Sequence, residues 1–175
     1  MVPSCIKVAM LAAVVALASA DCPPYWTAYM DKCLQIFNKP MTWDEAEDFC
    51  MGYSTCEGNQ VGHLASITDA GVNNFIVRYK KMIEVAGEPA AKVWIGLNDL
   101  TMEGLFEWTS GVNVTYTNWE MGQPNNGQGQ ENCVALPGLN TIDQWDDTNC
   151  VQALPFVCEL PGVDPNAQQM VCPIF

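Results

Sequence analysis

The sequence predicts an α+β fold: two short helices in the first half of the chain, then a second half built of strands, pinned by disulfides. Three observations predict it. Two segments carry apolar residues at helical spacing, at Trp43–Cys50 and Val72–Ile83. From Val93 onward the texture changes to short apolar runs between turns. The cysteines that follow residue 20 number eight, an even set. Helices followed by strands, rather than alternating with them, point to α+β.

The chain opens with Lys7, an apolar run from Val8 to Leu17, and Ala18-Ser19-Ala20 before Asp21. This is the pattern of a cleaved signal peptide over 1–20, so a secreted protein with no membrane insertion is expected. No later stretch approaches the ~20 apolar residues a spanning helix needs. The 155 residues that follow suffice for one domain with a single core, read as 21–160, with 161–175 as a tail.

Cys22 through Cys33 suggests an opening strand and hairpin. Thr42-Trp43-Asp44-Glu45 has the capping-box pattern, so a helix is expected to start there and turn Trp43, Ala46, Phe49 and Cys50 to the core. Met51 to Gly62 is polar and glycine-containing, and is expected to be a loop. A second helix is predicted from Thr68 or Asp69, with Val72, Phe75, Ile76, Tyr79 and Ile83 as its apolar stripe and Gly87 and Pro89 marking its end. Strands are predicted at Trp94–Leu97, Leu105–Trp108, Cys133–Leu136 and Phe156–Leu160. After Pro161 the chain is polar and without periodicity.

Once residues 1–20 are set aside, six basic residues face twenty acidic ones, a formal charge of −14. Such a field disfavours nucleic acid and anionic membranes and favours cations. Zinc chemistry is disfavoured, because His63 is the only histidine and no Cys-x-x-Cys occurs. Catalysis is not expected: a Ser-His-Asp set would have to use His63, and no Gly-x-Ser-x-Gly motif is present. His63 is better read as a core or hydrogen-bonded residue.

One stretch is dense in oxygen donors. Between Gln123 and Cys133 lie Gln123, Asn125, Asn126, Glu131 and Asn132, with Pro124, Gly127 and Gly129 bending the backbone. Asp146-Asp147 follows Trp145 and precedes Cys150. Hard cations such as calcium take six to eight oxygen ligands from such groups. Taken alone, the stretch also fits a polar surface loop that binds nothing.

The ordered set Cys22, Cys33, Trp43-x-x-Ala46, Cys50, His63-Leu64-Ala65-Ser66-Ile67, Trp94-Ile95-Gly96-Leu97, Gly122-Gln123-Pro124-Asn125, Glu131-Asn132-Cys133, Trp145-Asp146-Asp147, Cys150 and Cys158 resembles the long form of the C-type lectin domain. The likeness spans roughly residues 22 to 160, and it is the order and spacing of all these motifs that make it specific. It implies a double-loop α+β domain, two helices packed on short antiparallel sheets, with bridges Cys22–Cys33, Cys50–Cys158 and Cys133–Cys150. Cys56 and Cys172 have no place in that pattern. They either pair with each other or form bridges between chains, giving a homo-oligomer.

The resemblance further implies a principal calcium site at Gln123, Asn125, Glu131, Asp146 and Asp147. An auxiliary, weaker site would use Asp99, Glu103, Asn126 and Asn132 together with Glu131. Amides at 126 and 132 stand where acids are usual in the family's two-calcium members. Sugars are held in the family through the principal ion, here by Gln123, Asn125, Glu131 and Asp146. Glu-Pro-Asn implies mannose-like diols and Gln-Pro-Asp galactose-like ones; Gln123-Pro124-Asn125 is neither, and Asp146 replaces a usual Asn. A hydroxyl that gives one lone pair to calcium wants one donor and one acceptor. Two amides on one side and two carboxylates on the other lose that alternation.

Asn113-Val114-Thr115 is the one N-glycosylation sequon. Most of the six tryptophans, Trp43, Trp94, Trp108, Trp119 and Trp145 among them, are expected in the core. The leading functional reading is a secreted calcium-dependent lectin whose partners are glycans. The alternative is an acidic matrix or biomineral protein that uses the same scaffold on mineral surfaces and binds no sugar.

Overall fold

In the computed structural model, which describes residues 22–55, 61–83, 92–137, 144–162 and 171–173, helix α1 (Trp43–Met51) begins where the capping box predicts. The Thr42 hydroxyl accepts from the Glu45 amide at 3.4 Å, and the Glu45 carboxylate accepts from the Thr42 amide at 3.0 Å. The bonds from the Thr42 backbone and side chain hold the Glu45 carboxyl below its ordinary range. This support for the helix start is therefore present above the usual glutamate pKa of about 4.3. It is lost as pH falls through the lowered value. Helix α1 buries Trp43, Ala46 and Cys50. Helix α2 (Ala70–Ile83) starts as expected after Asp69, whose Oδ1 accepts from the amides of Gly71 at 2.6 Å and Val72 at 3.0 Å. Its expected stop at Gly87 and Pro89 lies outside the described residues.

Around these helices run β1 (Thr27–Tyr29), β2 (Lys32–Met41), β3 (Tyr53–Thr55), β4 (His63–Leu64), β5 (Val93–Asn98), β6 (Glu107–Trp108), β7 (Cys133–Leu136), β8 (Asp146–Thr148), β9 (Leu154–Pro161) and β10 (Val171–Pro173). The main sheet has the order β1-β2-β9-β5-β7-β8, with β4 on β9 and β6 on β5. Strand β2 pairs antiparallel with β9, so the two ends of the domain close on each other. Strand β5 is the hub, buried along its whole length.

The period-two geometry of strands explains why β5 reads as a continuous apolar run. Val93, Ile95 and Leu97 join one cluster with Val72, Ile76 and Val77 of α2, while Trp94 joins another with Trp43, Ala46 and Cys50 of α1. Strands β7 and β9 alternate in the same way, sending Val134, Leu136 and Val157 to the first cluster and Ala135, Phe156 and Cys158 to the second. A sheet covered on both sides leaves no polar face on its central strands. Of the tryptophans expected inside, Trp43, Trp94, Trp108 and Trp145 are buried and Trp119 packs partly buried against the first cluster. Gly96 is required by a close approach: a Cβ there would stand 2.6 Å from the Leu64 carbonyl oxygen.

The bridges Cys22–Cys33, Cys50–Cys158 and Cys133–Cys150 are formed. They tie the first hairpin, α1 to β9, and β7 to the turn after β8. Three details differ from the sequence reading. Residues 51–62, expected as a loop, contain β3, and the tail supplies its partner β10, with position 172 opposite Ser54. Backbone pairing between distant segments leaves no local signature, which is why neither was foreseen. The strand expected at Leu105–Trp108 is confined to Glu107–Trp108, because Leu105 instead closes a turn on the Met102 carbonyl at 2.9 Å. Cys56 lies outside the described residues.

The buried Glu159 carboxylate is paired. Lys32 donates to Glu159 at 2.7 Å and to the Ser66 hydroxyl at 2.6 Å, and Ser66 donates to Glu159 from its hydroxyl at 2.7 Å and its amide at 2.9 Å. His63 meets Glu47 at 2.6 Å, a hydrogen-bonded structural histidine as expected. Lys32→Met strands the Glu159 carboxylate and is expected to cost about 3 kcal/mol. The double change Lys32→Met/Glu159→Met should cost clearly less, as read from urea unfolding curves. An equal loss in both would contradict the pairing.

Candidate functional site

Residues 99–132 leave β5 and return to β7, and within them the described strand content is β6 alone. A segment of this kind has to find partners for its backbone elsewhere. Asn98 holds its exit: its side-chain amide donates to the Glu107 carbonyl at 3.2 Å and its oxygen accepts from the Leu100 amide at 3.3 Å. Trp145 holds its middle. The Trp145 amide donates to the Asn118 carbonyl at 2.6 Å, its carbonyl accepts from the Glu120 amide at 2.9 Å, and its indole N–H reaches Asn73 of α2 at 2.8 Å.

Asp147, next along β8, holds the tip. It is 1% exposed. Its carboxylate accepts from the Asn125 amide at 3.0 and 3.1 Å and from the Asn126 amide at 2.7 Å. Between Gln123 and Asn125 the chain turns through a cis Gln123–Pro124 bond, and Asn126 takes a left-handed φ of 43°. Gln123 donates to Asp146, and the Asn125 side chain donates to the Gln123 oxygen at 2.6 Å. Lys92, one residue before β5, makes an ion pair with the other oxygen of Asp146. Glu131 folds over the turn Gly127–Gly129, accepting from the Gly127 amide at 2.7 Å. A Cβ at Gly127 would come within 2.5 Å of that carboxylate, so a side chain there would push Glu131 out of this position.

Gln123, Asn125, Asp146 and Asp147, which come from two separate segments, are thus joined in one network, with Glu131 beside it through Asn126. The Glu131 amide donates to the Asn126 oxygen at 3.1 Å. Asn126 also donates to Glu103, linking this network to the positions expected for a second ion. There Asp99 is 2% exposed; its Oδ2 accepts from the Gly104 amide at 2.7 Å and its Oδ1 is buried without a partner. The Asp99 amide donates to the Asn132 carbonyl at 3.1 Å. Among the described residues no three His, Cys, Asp or Glu form a cluster. The carboxylates are separated by amides, and the available donors are oxygens throughout. That chemistry fits a hard divalent cation and not a thiol- or imidazole-loving one. The orphaned oxygen of Asp99 fits the same description, since a buried acceptor without a partner is costly.

Residues 39–160 match the family model of the Lectin C-type domain. The chain belongs to the C-type lectin family. It is 37% identical over 146 residues to an alpha-N-acetylgalactosamine-specific lectin of Patiria pectinifera, across 81% of this chain and 84% of that one. Among solved structures it is similar to the C-type lectin CEL-I from Cucumaria echinata, with a TM-score of 0.74 and 32% identity over 81% of this chain and 98% of that one. It is also similar to a calcium-independent type II antifreeze protein, with a TM-score of 0.67 and 27% identity over 83% and 98% of the two chains. The C-type lectin fold alone therefore does not dictate calcium binding. What this C-type lectin can bind has to follow from its own loop residues.

Three features of this C-type lectin were not foreseen in the sequence: Lys92 beside Asp146, Asn98 at the loop exit, and Gly127 beneath Glu131. Sheet register, which brings Lys92 to Asp146 across β7, is not encoded at either position alone. The Gly127–Glu131 spacing was visible, and a glycine four residues before a lone acid in a turn is the signal that could have been used. Asn113 is exposed, and the Thr115 hydroxyl of its sequon donates to the Thr68 carbonyl at 3.1 Å. Among the described residues no helix is long and apolar enough to cross a membrane.

Proposed function

We propose that this C-type lectin is a secreted, calcium-dependent carbohydrate-binding protein whose ion is held by Gln123, Asn125, Glu131, Asp146 and Asp147. The observation that carries the reading is the single network joining Gln123 and Asn125 to Asp146 and Asp147, with Glu131 seated beside it. When bound, calcium in such a site accepts oxygen atoms of two neighbouring sugar hydroxyls. The chain's own groups then supply hydrogen bonds to those hydroxyls: N–H from Gln123 and Asn125, lone pairs from Glu131 and Asp146. Three carboxylates against a doubly charged ion suggest a dissociation constant of about 10⁻⁴–10⁻³ M or somewhat tighter. Asp99, Glu103, Asn126 and Asn132, with Glu131, form a weaker second position supported by the unpartnered Asp99 oxygen.

Secretion rests on residues 1–20, and Asn113 is the glycosylation position. Cys56 and Cys172 are proposed to pair, since the register of β10 on β3 sets position 172 against Ser54. The acidic matrix reading rests on the −14 charge and differs in one respect: it requires no sugar contact. Glycan-array binding of the mature protein with and without chelator separates the two. Glu131→Gln removes one carboxylate while keeping the side chain's shape, and it should weaken calcium at least tenfold and abolish the array signal. Sugar binding that persists in chelator, or in Glu131→Gln, would rule out this site.

A further inference from the structure

We infer that Lys92 is a specificity-determining residue of the sugar site, completing with Asp146 the donor–acceptor pair that a single amide would otherwise provide. This deepens the calcium-dependent reading above and rests on it. Lys92 precedes β5 and Asp146 begins β8, and the register Trp94↔Ala135↔Asp146 sets them two strands apart. Neighbouring strands are about 4.8 Å apart, so two spacings of about 10 Å in all separate the two backbones, and the long lysine side chain reaches across them to Asp146. The ion pair is partly shielded, with side-chain exposures of 36% for Lys92 and 14% for Asp146.

The consequence passes along the network. Lys92 takes one oxygen of Asp146 and Gln123 donates to the other. With its N–H turned to Asp146, Gln123 presents its oxygen to the Asn125 side chain. Asp146, an acceptor only, therefore sets which way both amides of the Gln-Pro-Asn triplet point, and Lys92 holds the Asp146 carboxylate in the position from which it does so. Lys92 also addresses the mismatch in the donor set. Asp146 is an acceptor only, and Lys92 is a donor only. Side by side they offer a hydroxyl one of each, which Asp146 cannot do alone. The ammonium further offsets one of three carboxylates, so a carboxylate at 146 does not leave the loop with an excess of unpaired acid.

The test uses Lys92→Met, Asp146→Asn and the double variant in the full mature chain. The probes are calcium by calorimetry and immobilised N-acetylgalactosamine and immobilised mannose. Lys92→Met should keep calcium affinity within threefold of wild type or tighten it, because a nearby positive charge is gone, while sugar retention falls at least tenfold. Lys92→Met/Asp146→Asn should recover sugar retention to within about threefold, because an asparagine carries both groups. A lysine with a merely structural role would give no such recovery. In chelator, without sugar or metal, the Gln123 side-chain NH₂ resonances should move in Lys92→Met and stay in place in the distant Lys39→Met. Wild type that takes no calcium, or calcium but no sugar, overturns the parent reading and this inference with it. Wild-type-like sugar retention in Lys92→Met, no recovery in the double variant, or unmoved Gln123 resonances overturns the role of Lys92 alone.

Discussion

Asp147→Ala is expected to abolish calcium binding and to loosen the tip of the long loop, at a cost of about 3 kcal/mol even in chelator. The carboxylate is 1% exposed and receives two backbone amides, those of Asn125 and Asn126. Truncation leaves both N–H groups without an acceptor, and each such loss costs about 1–3 kcal/mol. Partial entry of water should keep the total toward the lower part of that sum. Asp147→Asn separates the two roles. Its one oxygen keeps an amide bond while its NH₂ opposes the other, so part of the stability is retained, yet a formal charge and an oxygen donor are gone. Calcium affinity should fall by tenfold or more in Asp147→Asn, measured by calorimetry alongside urea unfolding in chelator. If affinity and stability were both unchanged, Asp147 would be neither the loop's anchor nor a ligand.

The double role of Asp147 illustrates what a sequence can and cannot disclose about such a site. The oxygen-rich run from Gln123 to Asn132 and the Asp146-Asp147 pair stand out because composition is local. So do the helices, since Thr42 and Glu45 announce a helix start and Val72, Phe75, Ile76 and Tyr79 repeat at 3.6-residue spacing. The residues that join those local signals do not stand out. Lys92 reads as an ordinary charged residue ahead of a strand, and its partner is defined only once β5, β7 and β8 are in register. The same holds for β3 and β10, which are too short to be read as strands from either segment alone and pair across more than a hundred residues of sequence. The buried Lys32–Glu159–Ser66 group spans the chain from one end to the other, and no window of the sequence contains it. Local chemistry named the candidate ligands, whereas long-range register set their orientation.

Long-range closure also underlies the largest expected loss of stability. Replacing Cys50 and Cys158 together by alanine should cost about 5 kcal/mol, because the bridge closes a span of 108 residues and chain entropy released in the unfolded state grows with the logarithm of that span. The Cys22–Cys33 bridge spans 11 residues and Cys133–Cys150 spans 17; on the same account each is worth about 3 kcal/mol. Two further effects act at the long bridge. Cys50 and Cys158 are both fully buried in the cluster of Trp43, Trp94 and Phe156, so alanine leaves unfilled space that adds to the loss. The bridge also fastens α1 to β9, whose pairing with β2 closes the domain ends. For a domain of this size each kcal/mol corresponds to roughly 2–4 °C, so the melting temperature should fall by about 10–20 °C. Calorimetric scans of the three double-alanine variants should rank Cys50/Cys158 as the most damaging by a clear margin. Equal losses at all three bridges would mean that the unfolded chain stays compact enough for closure length to be irrelevant. A small loss at Cys50/Cys158 alone would mean that β2 and β9 hold the domain ends together without covalent help.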